Sequence, residues 1–460
     1  MQSDDLQSKE RMLTSRVRRL LSRCSWLIRV LAAAILGSVV RYFRRIRRKN
    51  PRIWRGMNGL HLIKWPAKAD KRAGFPSRSV IRSTQPSTYA LFQDKDFDVV
   101  LDALGKPESD WAWIGLIDLL INGDIWVAFF DSTFFPLGQR RRNECVMRLL
   151  KGVGIKTIMV PHGMDVFYRD NRVTRFDWVG RAQADYPKWD LTEHRNLAKW
   201  RTALFCRYAA LVVGPDSTCN RFLPRRDVDF KWFPTDCDTL RPTTTVKGRT
   251  PTVIHAPQHR RIKGTQELLD AIAKLQQKGI DVTIRLIEKV SRDEALLIYR
   301  EADIIADQFC MGAYGMFALE ALALGKPVLT YLDQEHLGDP VFNLPIVNTN
   351  PDNLERVLVV LLTIPELRHR LGQAGRAAVE QYQSIDAMAE VWNCLYNHVW
   401  WNQPLDLSKT RHFSLERKAR DFTEDPADAK FWPVEVGDLL PQIHESLALL
   451  QPSDSSDSAI

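Results

Sequence analysis

Paired cysteines are missing from this sequence. Its seven cysteines are scattered along 460 residues, none belongs to a Cys-x-x-Cys pair, and their number is odd. Disulfide frameworks and structural zinc sites both need cysteines at short, paired spacings, so the sequence argues against either. We expect free thiols, as in a protein of the reducing cytoplasm.

A long apolar run and a secretory signal are also lacking. The apolar stretch near the N-terminus has no small-residue cleavage site. Its uninterrupted part, from Val30 to Val40, is shorter than the ~20 residues that a spanning helix needs, and arginines crowd both of its ends. We therefore expect no cleaved leader, and a spanning helix is not our first choice.

The net charge is unevenly placed. The formal charge is +10, but residues 1–55 hold thirteen arginines and two lysines against three acids, a net of +12, so the remaining chain carries about −2. A body that binds nucleic acid would itself be basic. The charge thus argues against nucleic acid as a partner and directs attention to the N-terminal segment.

Residues 1–55 have the pattern of an arginine-rich amphipathic helix. At helical spacing Arg29, Arg41 and Arg44 fall near one edge, whereas the leucines and isoleucines fall elsewhere. We expect residues 16–48 to lie on the anionic inner surface of a membrane and to be peripheral to it. Packing on the protein's own body or on a second subunit is one alternative, and a single membrane span is another.

The body of the chain alternates short apolar runs with helical patterns, which is typical of parallel α/β sheets. A polar, proline-rich linker at 236–251 divides it. We predict two Rossmann-like doubly wound domains, 56–240 and 250–400, that face a cleft. The predicted strands of the first domain are FDVVLDAL (97–104), DIWVAFFD (124–131), IKTIMVPHG (155–163) and AALVVGPD (209–216).

The extension at 402–460 differs from the body. It contains one predicted amphipathic helix, VGDLLPQIHESLALL, which we expect Pro441 to break. Its last residues are too polar to be buried, and we expect them to be disordered. Within the second domain, Asn350-Pro351 is predicted to begin a helix, since proline is favoured at the first helical position.

The ends of the predicted strands carry candidate site residues. Ligands of open parallel sheets bind just beyond the carboxyl ends of the strands. VPHGMD, at 160–165, places His162 and Asp165 at such an end. A lone histidine there is more often structural, so its role depends on what faces it across the cleft.

Two stretches of the second domain could hold a diphosphate. HRRIKGT, at 259–265, places Arg260, Arg261 and Lys263 immediately before a predicted helix. A helix N-terminus offers free N–H donors and partial positive charge, so added cations would improve an anion site. A basic loop alone is more often a solvated turn.

The second stretch is MGAYGMFALEALALGKP, at 311–327. Gly312 and Gly315 permit a ligand to approach the backbone closely, and the helix predicted from Met316 points its N-terminus at the same cleft. Glu320 lies one turn into that helix, where its carboxylate could accept hydrogen bonds from the two hydroxyls of a ribose. The alternative is a Glu320 paired with a nearby arginine or lysine.

The order of these motifs resembles the retaining glycosyltransferases of the GT-B fold, in particular the large family four. HAPQHRRIKGT, LIEKVSRDEALLIYREADIIADQ and GAYGMFALEALALGKPV follow the order and spacing of the donor-binding domain in that family. In the first domain, PHGMD fits the family's histidine loop, and Gly56 to Gly59 fit the glycine loop after its first strand. The resemblance covers residues 56–400.

The resemblance implies a nucleoside-diphosphate-sugar donor, a glycan or lipid-linked acceptor, no cofactor, and a metal-independent, retaining reaction. Lys263 would match the family's diphosphate-binding lysine and Glu320 its ribose-binding glutamate. His162 would match the histidine near the transferred sugar, and Gly59, Asp165 and the stretch Gly312-Ala313-Tyr314-Gly315 would border the donor.

Two positions depart from the family pattern. Gly312 stands where the family has a first glutamate, and the Gly-Arg pair before the lysine is missing. Backbone amides from Gly312 to Gly315 could replace the first contact, and Arg260 or Arg261 the second. We therefore expect a membrane-peripheral glycosyltransferase of cell-surface glycan assembly, with an inactive GT-B scaffold or partner subunit as the main alternative and a nucleotide-sugar epimerase as another.

Overall fold

The structure is a computed structural model of the chain. Gly59, residues 1–24 of the predicted membrane segment, and the end predicted to be disordered, 451–460, lie outside the described residues. The structure describes residues 25–57, 60–83, 94–163, 165–167, 175–185, 191–243, 248–333, 344–413 and 423–450.

The first half of the described chain forms a parallel sheet with helices on both faces. Its central strands are apolar throughout and fully buried, as expected for strands covered on both sides. The seven strands run in the order β3-β2-β1-β4-β5-β6-β7. They are β1 (Ile53–Met57), β2 (Ser77–Ile81), β3 (Val99–Val100), β4 (Ile125–Ala128), β5 (Lys156–Met159), β6 (Leu211–Gly214) and β7 (Val228–Asp229).

The helices of this half include one that precedes the sheet in sequence. The others connect successive strands, as the right-handed crossover rule requires for parallel pairs. They are α1 (Ser25–Ile46), α2 (Lys64–Arg72), α3 (Glu108–Asn122), α4 (Arg140–Gly152), α5 (Trp178–Asp185), α6 (Leu191–Tyr208) and α7 (Ser217–Asn220).

The second half forms a parallel sheet of its own, in the order β12-β11-β10-β8-β9 within the described residues. Its strands are β8 (Thr252–His255), β9 (Thr283–Leu286), β10 (Ile304–Gln308), β11 (Val328–Thr330) and β12 (Val347–Asn348). Its helices and those that follow are α8 (Arg260–Lys263), α9 (Thr265–Gln277), α10 (Arg292–Tyr299), α11 (Met316–Ala323), α12 (Leu354–Thr363), α13 (Pro365–Tyr382), α14 (Ile385–Trp401) and α15 (Leu440–Ala448).

Three local predictions are wrong in detail. The segment 97–104 contains a strand of only two residues, followed by a helical turn at Asp102–Leu104. The helix predicted to start at Pro351 begins at Leu354, because Asn350 and Asn353 exchange side-chain hydrogen bonds with backbone amides in a preceding turn. Pro441 lies in the first turn of α15, where proline is favoured, so it starts that helix and does not break it.

Helix α1 packs closely on α3. Its inner face consists of small side chains such as Ala33 and Ala34, which are buried. At Gly37 the approach is so close that a Cβ atom would lie 1.9 Å from the carbonyl oxygen of Leu120. The alternative of a helix packed on the protein's own body therefore describes its position.

Two arginines of α1, Arg41 and Arg44, bind this body, whereas Arg29 is exposed. Arg41 is buried and donates from Nη1 to the carbonyls of Leu120 and Gly123, at 3.0 and 3.2 Å, and from Nε to that of Val153, at 3.1 Å. These carbonyls end α3 and α4, where oxygens lack helical donors and the helix dipole favours a cation. Arg44 pairs with Asp124 at 3.1 Å.

The outer face of α1 is apolar and exposed. Of the described helices, α1 is the one long and apolar enough to cross a membrane by length and composition. The exposed side chains are Leu27, Ile28, Leu31, Ile35, Leu36, Val39, Tyr42, Phe43 and Ile46. The helix is thus amphipathic, with Arg41 and Arg44 toward the protein and its large apolar side chains outward.

Helix α14 follows the second sheet in sequence but packs on the first. Its Tyr396 hydroxyl donates to Asp70 Oδ1 at 2.6 Å and accepts from Arg55 Nη2 at 2.8 Å, while Arg55 Nε donates to Asp70 Oδ2 at 2.7 Å. All three side chains are buried, and the Arg55 guanidinium lies 4.3 Å from the centre of the Trp392 ring. This network joins α14 to β1 and α2.

Replacing Tyr396 with phenylalanine should destabilise the protein. The substitution keeps the ring but leaves buried Arg55 and Asp70 each short of one hydrogen bond, which costs about 1–3 kcal/mol in the free energy of unfolding. Urea unfolding followed by circular dichroism measures the loss. Tyr42→Phe, on the exposed face of α1, is the matched control, and an equal unfolding midpoint for both variants would contradict the role of the network.

Candidate active site

The carboxyl ends of both sheets border one cleft. It encloses a cavity of about 540 Å³, lined from the first domain by His162, Asp216 and Lys231 and from the second by Lys263 and Tyr314. A smaller cavity of about 210 Å³ adjoins it and shares four of its lining residues, which are Ala256, Gln258, Met316 and Phe317. The cleft predicted from the strand ends is therefore present.

Lys263 is held in the cleft by two acceptors from β10. Its Nζ donates to Asp307 Oδ1 at 2.9 Å and to Gln308 Oε1 at 2.6 Å. Gly264, with φ of +76°, turns the chain directly after it, so that α9 begins at Thr265. Asp307 and Gln308 are the last two residues of β10, and the sequence did not single them out.

The two arginines beside Lys263 do not line this cavity. Arg260 is exposed and binds Glu288 with Nε and Nη2, at 2.8 and 2.6 Å. The carbonyl of Arg261 accepts a hydrogen bond from Arg181 at 3.2 Å. Of the three predicted cations, Lys263 is the one that the structure places at the cavity.

Ala313, Tyr314 and Gly315 of the glycine motif line the cavity. Gly312 has φ of +84°, and a Cβ atom there would lie 2.9 Å from the Cβ of Asp333, so the backbone does not admit the glutamate of the family pattern. Gly315 precedes α11 and has open space where a Cβ atom would be. The N-terminus of α11 thus faces the cavity without a side chain in front of it.

Between these glycines, Ala313 and Tyr314 are buried, and Tyr314 faces the first domain. The carbonyl of Ala313 accepts a hydrogen bond from Gln308. The Tyr314 ring lies 5.1 Å from Lys231 Nζ, which is itself 2.7 Å from Asp216 Oδ2. This buried ion pair at the ends of β6 and β7 was not predicted, because neither residue belongs to a recognisable motif.

Glu320 forms an ion pair, which was the alternative reading of this residue. Arg292 donates to Glu320 Oε1 from Nε at 3.0 Å and from Nη2 at 2.6 Å, and stacks on Trp65 at 5.3 Å. Both members of the pair line the smaller cavity, together with the apolar side chains of Ile287 and Val290. Arg292 begins α10, which is preceded by Ser291 and stabilised by a capping box between Ser291 and Glu294.

His162 belongs to a cluster with two carboxylates. Its Nε2 lies 3.2 Å from Asp131 Oδ2 and 4.0 Å from Asp165 Oδ1. Burial alone would lower the pKa of His162, but Asp165 and Asp131 outweigh it and raise that pKa to about 9. The imidazole is therefore a cation at neutral pH. Asp131 ends a predicted strand, a signal that could have identified it.

Asp165 holds the backbone of the loop that carries His162. Its Oδ1 accepts from the amides of His162 and Gly163, both at 2.9 Å, and its Oδ2 accepts from that of Phe130 at 3.0 Å. With its oxygens engaged and its side chain buried, it supports His162 and does not line the cavity. Among the described residues, Asp131, His162 and Asp165 are also close enough to share a metal ion, since one ligand atom of each lies within 4.8 Å of the others.

The chain matches no family model and no curated protein sequence. Solved structures do match. Sucrose-phosphate synthase from Thermosynechococcus elongatus superposes with a TM-score of 0.53 at 14% identity, over 77% of this chain and 100% of that one. Anabaena HepE in complex with UDP-glucose superposes with a TM-score of 0.49 at 11% identity, over 76% of this chain and 99% of that one. WaaG, a glycosyltransferase involved in lipopolysaccharide biosynthesis, superposes with a TM-score of 0.44 at 13% identity, over 75% of this chain and 99% of that one.

Identities this low establish the fold alone. The two facing parallel sheets and the match to sucrose-phosphate synthase show that the chain has the α/β GT-B fold, so the predicted fold class is confirmed.

The charge on His162 leads to a pH prediction. Because its pKa is higher in the folded than in the unfolded protein, the ion pairs stabilise the fold fully below pH ~6.5, and this contribution is lost as the pH rises through about 9. An NMR titration of the His162 ring should therefore have its midpoint near 9. Asp131→Asn should lower that midpoint by about one unit or more.

Asp293→Asn, an exposed substitution on α10, is the control and should leave the His162 midpoint in place. A midpoint for the unsubstituted protein that stays near the unperturbed value would contradict the cluster.

Proposed function

We propose that the protein is a glycosyltransferase that moves a sugar from a nucleoside-diphosphate-sugar donor to a membrane-proximal or lipid-linked acceptor in cell-surface glycan assembly. The observation that carries this proposal is the pair of joined cavities. Lys263 and the open N-terminus of α11 face the larger one, and Glu320 and Arg292 line the smaller one. A diphosphate fits the first set of groups, and a nucleoside fits the second.

In this arrangement the nucleoside occupies the smaller cavity. Ile287 and Val290 give the base an apolar wall. Arg292 binds only Oε1 of Glu320, which leaves Oε2 to accept a hydrogen bond from a ribose hydroxyl. The ion pair with Arg292 then fixes the orientation of the carboxylate.

The reaction itself develops negative charge on the departing diphosphate. Lys263 and the N-terminal amides of α11 stabilise that charge through donors that are already in position, which lowers the barrier only if they bind the departing group more tightly than the intact donor. Protonated His162 lies across the cleft, on the side of the transferred sugar. We further propose that the reaction is metal-independent and retains the configuration of the sugar, as the family resemblance implies.

A specific observation favours a second candidate, an inactive GT-B scaffold. The backbone at Gly312 leaves no room for the first glutamate of the family pattern. A protein that had lost catalysis would not need this contact to the sugar. Donor binding distinguishes the two candidates.

Lys263→Ala and Glu320→Ala should both impair the enzyme. We expect sugar transfer to fall about 100-fold for Lys263→Ala, because a charge on the leaving group loses its main partner. Donor affinity should fall about tenfold for Glu320→Ala, measured by calorimetry with UDP-, GDP- and ADP-sugars. Chelation of metals with EDTA should not change the rate.

Lys274→Ala, on the exposed face of α9, is the matched control and should behave as the unsubstituted protein does. Undiminished turnover in both site variants would contradict the assignment of the site. Binding of no donor by the unsubstituted protein would favour the scaffold.

Helix α1 supports a membrane-proximal location. Nine large apolar side chains are exposed along its outer face, with Arg29, Arg47 and Arg48 exposed beside them. An exposed apolar strip flanked by arginines is suited to the interface of an anionic membrane, into which it buries its apolar side. Because the inner face of α1 remains packed on α3, the helix would attach the first domain to the membrane surface without detaching from that domain.

The variant Ile28→Ser/Leu31→Ser/Ile35→Ser should abolish binding to anionic vesicles. Each side chain loses the transfer energy of its apolar surface, about 1.5–3 kcal/mol if it is fully buried in the bilayer. Co-sedimentation with phosphatidylglycerol vesicles measures the effect. The control Leu297→Ser/Val434→Ser/Leu449→Ser removes equally exposed apolar side chains elsewhere. Equal co-sedimentation of both variants would refute the attachment by α1.

A further inference from the structure

A third cavity lies in the first domain, between α1 and the carboxyl edge of the sheet. It encloses about 490 Å³, and aromatic and polar side chains share its walls, with charged groups of both signs among the polar ones. Trp111, Trp113 and Phe135 supply the flat faces, and Glu108 and Arg82 are among the polar groups. A cavity of this size holds one or two sugar rings.

Arg82, one of the two arginines that line this cavity, is partly buried and incompletely bonded. Arg82 follows β2 and donates from Nη2 to the carbonyls of Thr133 and Phe134. Its Nε is buried and has no hydrogen-bond partner among the described residues. A buried N–H group without an acceptor costs free energy, so a ligand oxygen at this point would be stabilising.

The cavity lies beside the cleft of the candidate active site. The loop from Asp131 to Phe135 separates the two, since Asp131 pairs with His162 while Phe135 lines the cavity. Burial lowers the pKa of Arg82, and the charges of Asp131 and Glu108 oppose this shift, which places Asp131 within electrostatic reach of the cavity. A ligand held there would be near the groups that face the transferred sugar.

An apolar groove continues from the cavity along α1. It encloses about 740 Å³ between α1 and α3, and it is lined by Ala33, Leu36, Ile114 and Ile117, with charged residues at its margins. Trp26 lines both the groove and the cavity and stacks on Trp113 at 6.5 Å. The groove follows the helix whose outer face is exposed and apolar.

We propose that this cavity is the acceptor site and that the acceptor is a glycolipid, with its sugar between the aromatic walls and its hydrocarbon in the groove along α1. The assignment rests on the proposed function. Aromatic rings stack on the apolar faces of a sugar, and Glu108 accepts hydrogen bonds from its hydroxyls while Arg82 donates to its oxygens. The adjoining groove accounts for an apolar chain, which a soluble sugar would not need.

Binding of short-chain glycolipids tests the proposal directly. The probes are octyl glycosides of glucose, galactose, mannose and N-acetylglucosamine, below their critical micelle concentrations, with the free sugars and 1-octanol for comparison. Calorimetry should show that at least one octyl glycoside binds more tightly than both its sugar and octanol. Trp111→Leu and Glu108→Gln should each weaken that binding about fivefold to tenfold.

The variants are chosen to preserve the fold. Trp111 and Glu108 lie in the first turn of α3, away from the contact between Trp113 and Trp26. Glu435→Gln is the control, because this residue is also an exposed glutamate in the first turn of a helix. In transfer assays the two cavity variants should raise KM for the octyl glycoside, whereas donor affinity stays as in the unsubstituted protein.

The outcomes separate this proposal from the proposed function. If donors bind but the cavity variants bind octyl glycosides normally, the acceptor site is overturned and the donor site is not. If octanol binds as tightly as every octyl glycoside, or if none of the glycosides binds, the glycolipid assignment is overturned. If the glycosides bind as predicted but no donor does, the proposed function fails, and the cavity remains a glycolipid site without a transferase role.

Discussion

A buried ion pair sets the relation between the two domains on which the cleft depends. Arg55 and Asp70 belong to the first domain, and Tyr396 comes to them on the helix that returns from the second. A buried pair of this kind gains little over apolar packing, but removing one partner leaves a charge without compensation. The return of α14 is therefore tied to one position, in which the three polar groups satisfy one another.

The segment in which the chain passes from the first domain to the second contacts the segment in which it returns. Thr235 pairs with Ser384, the residue before α14, and the Gln383 side chain donates to the carbonyls of Lys231 and Phe233. Lys231 is part of the cleft wall. The two segments that connect the domains are thus hydrogen-bonded to each other next to the site. The geometry of the cleft therefore depends on how these two segments pack.

Charges in the cleft are paired across short distances. Lys263 is bound by Asp307, Lys231 by Asp216, and His162 by Asp131, and in each pair the carboxylate is at least partly buried. Buried carboxylates hold the cations in place before a ligand arrives, which is the condition for electrostatic stabilisation without reorganisation. A bound diphosphate would then interact with cations that the carboxylates already hold in fixed positions.

The sequence predicted what local patterns determine. The glycine motif, the helix that begins at Met316 and the capping box at Ser291 all follow from residue type and spacing, and the structure contains them. Asp131 and Lys231 belong to no recognisable motif, and their pairing with His162 and Asp216 depends on which strands become neighbours in the sheet. The partner of Glu320 was missed for the same reason, since Arg292 lies 28 residues away in sequence.

The packing of α1 shows how tertiary contacts decide which side of an amphipathic helix faces the protein. Helical spacing correctly separated arginines from apolar residues, but it could not tell which side would face the protein. The carbonyl ends of α3 and α4 offer Arg41 fixed acceptors with partial negative charge, whereas Ala33, Ala34 and Gly37 are small enough to let the backbones meet. The large apolar side chains therefore remain exposed, and one of them, Leu36, lines the groove that continues from the aromatic cavity. The packing of α1 on α3 thus produces both the exposed apolar surface and the groove beside it.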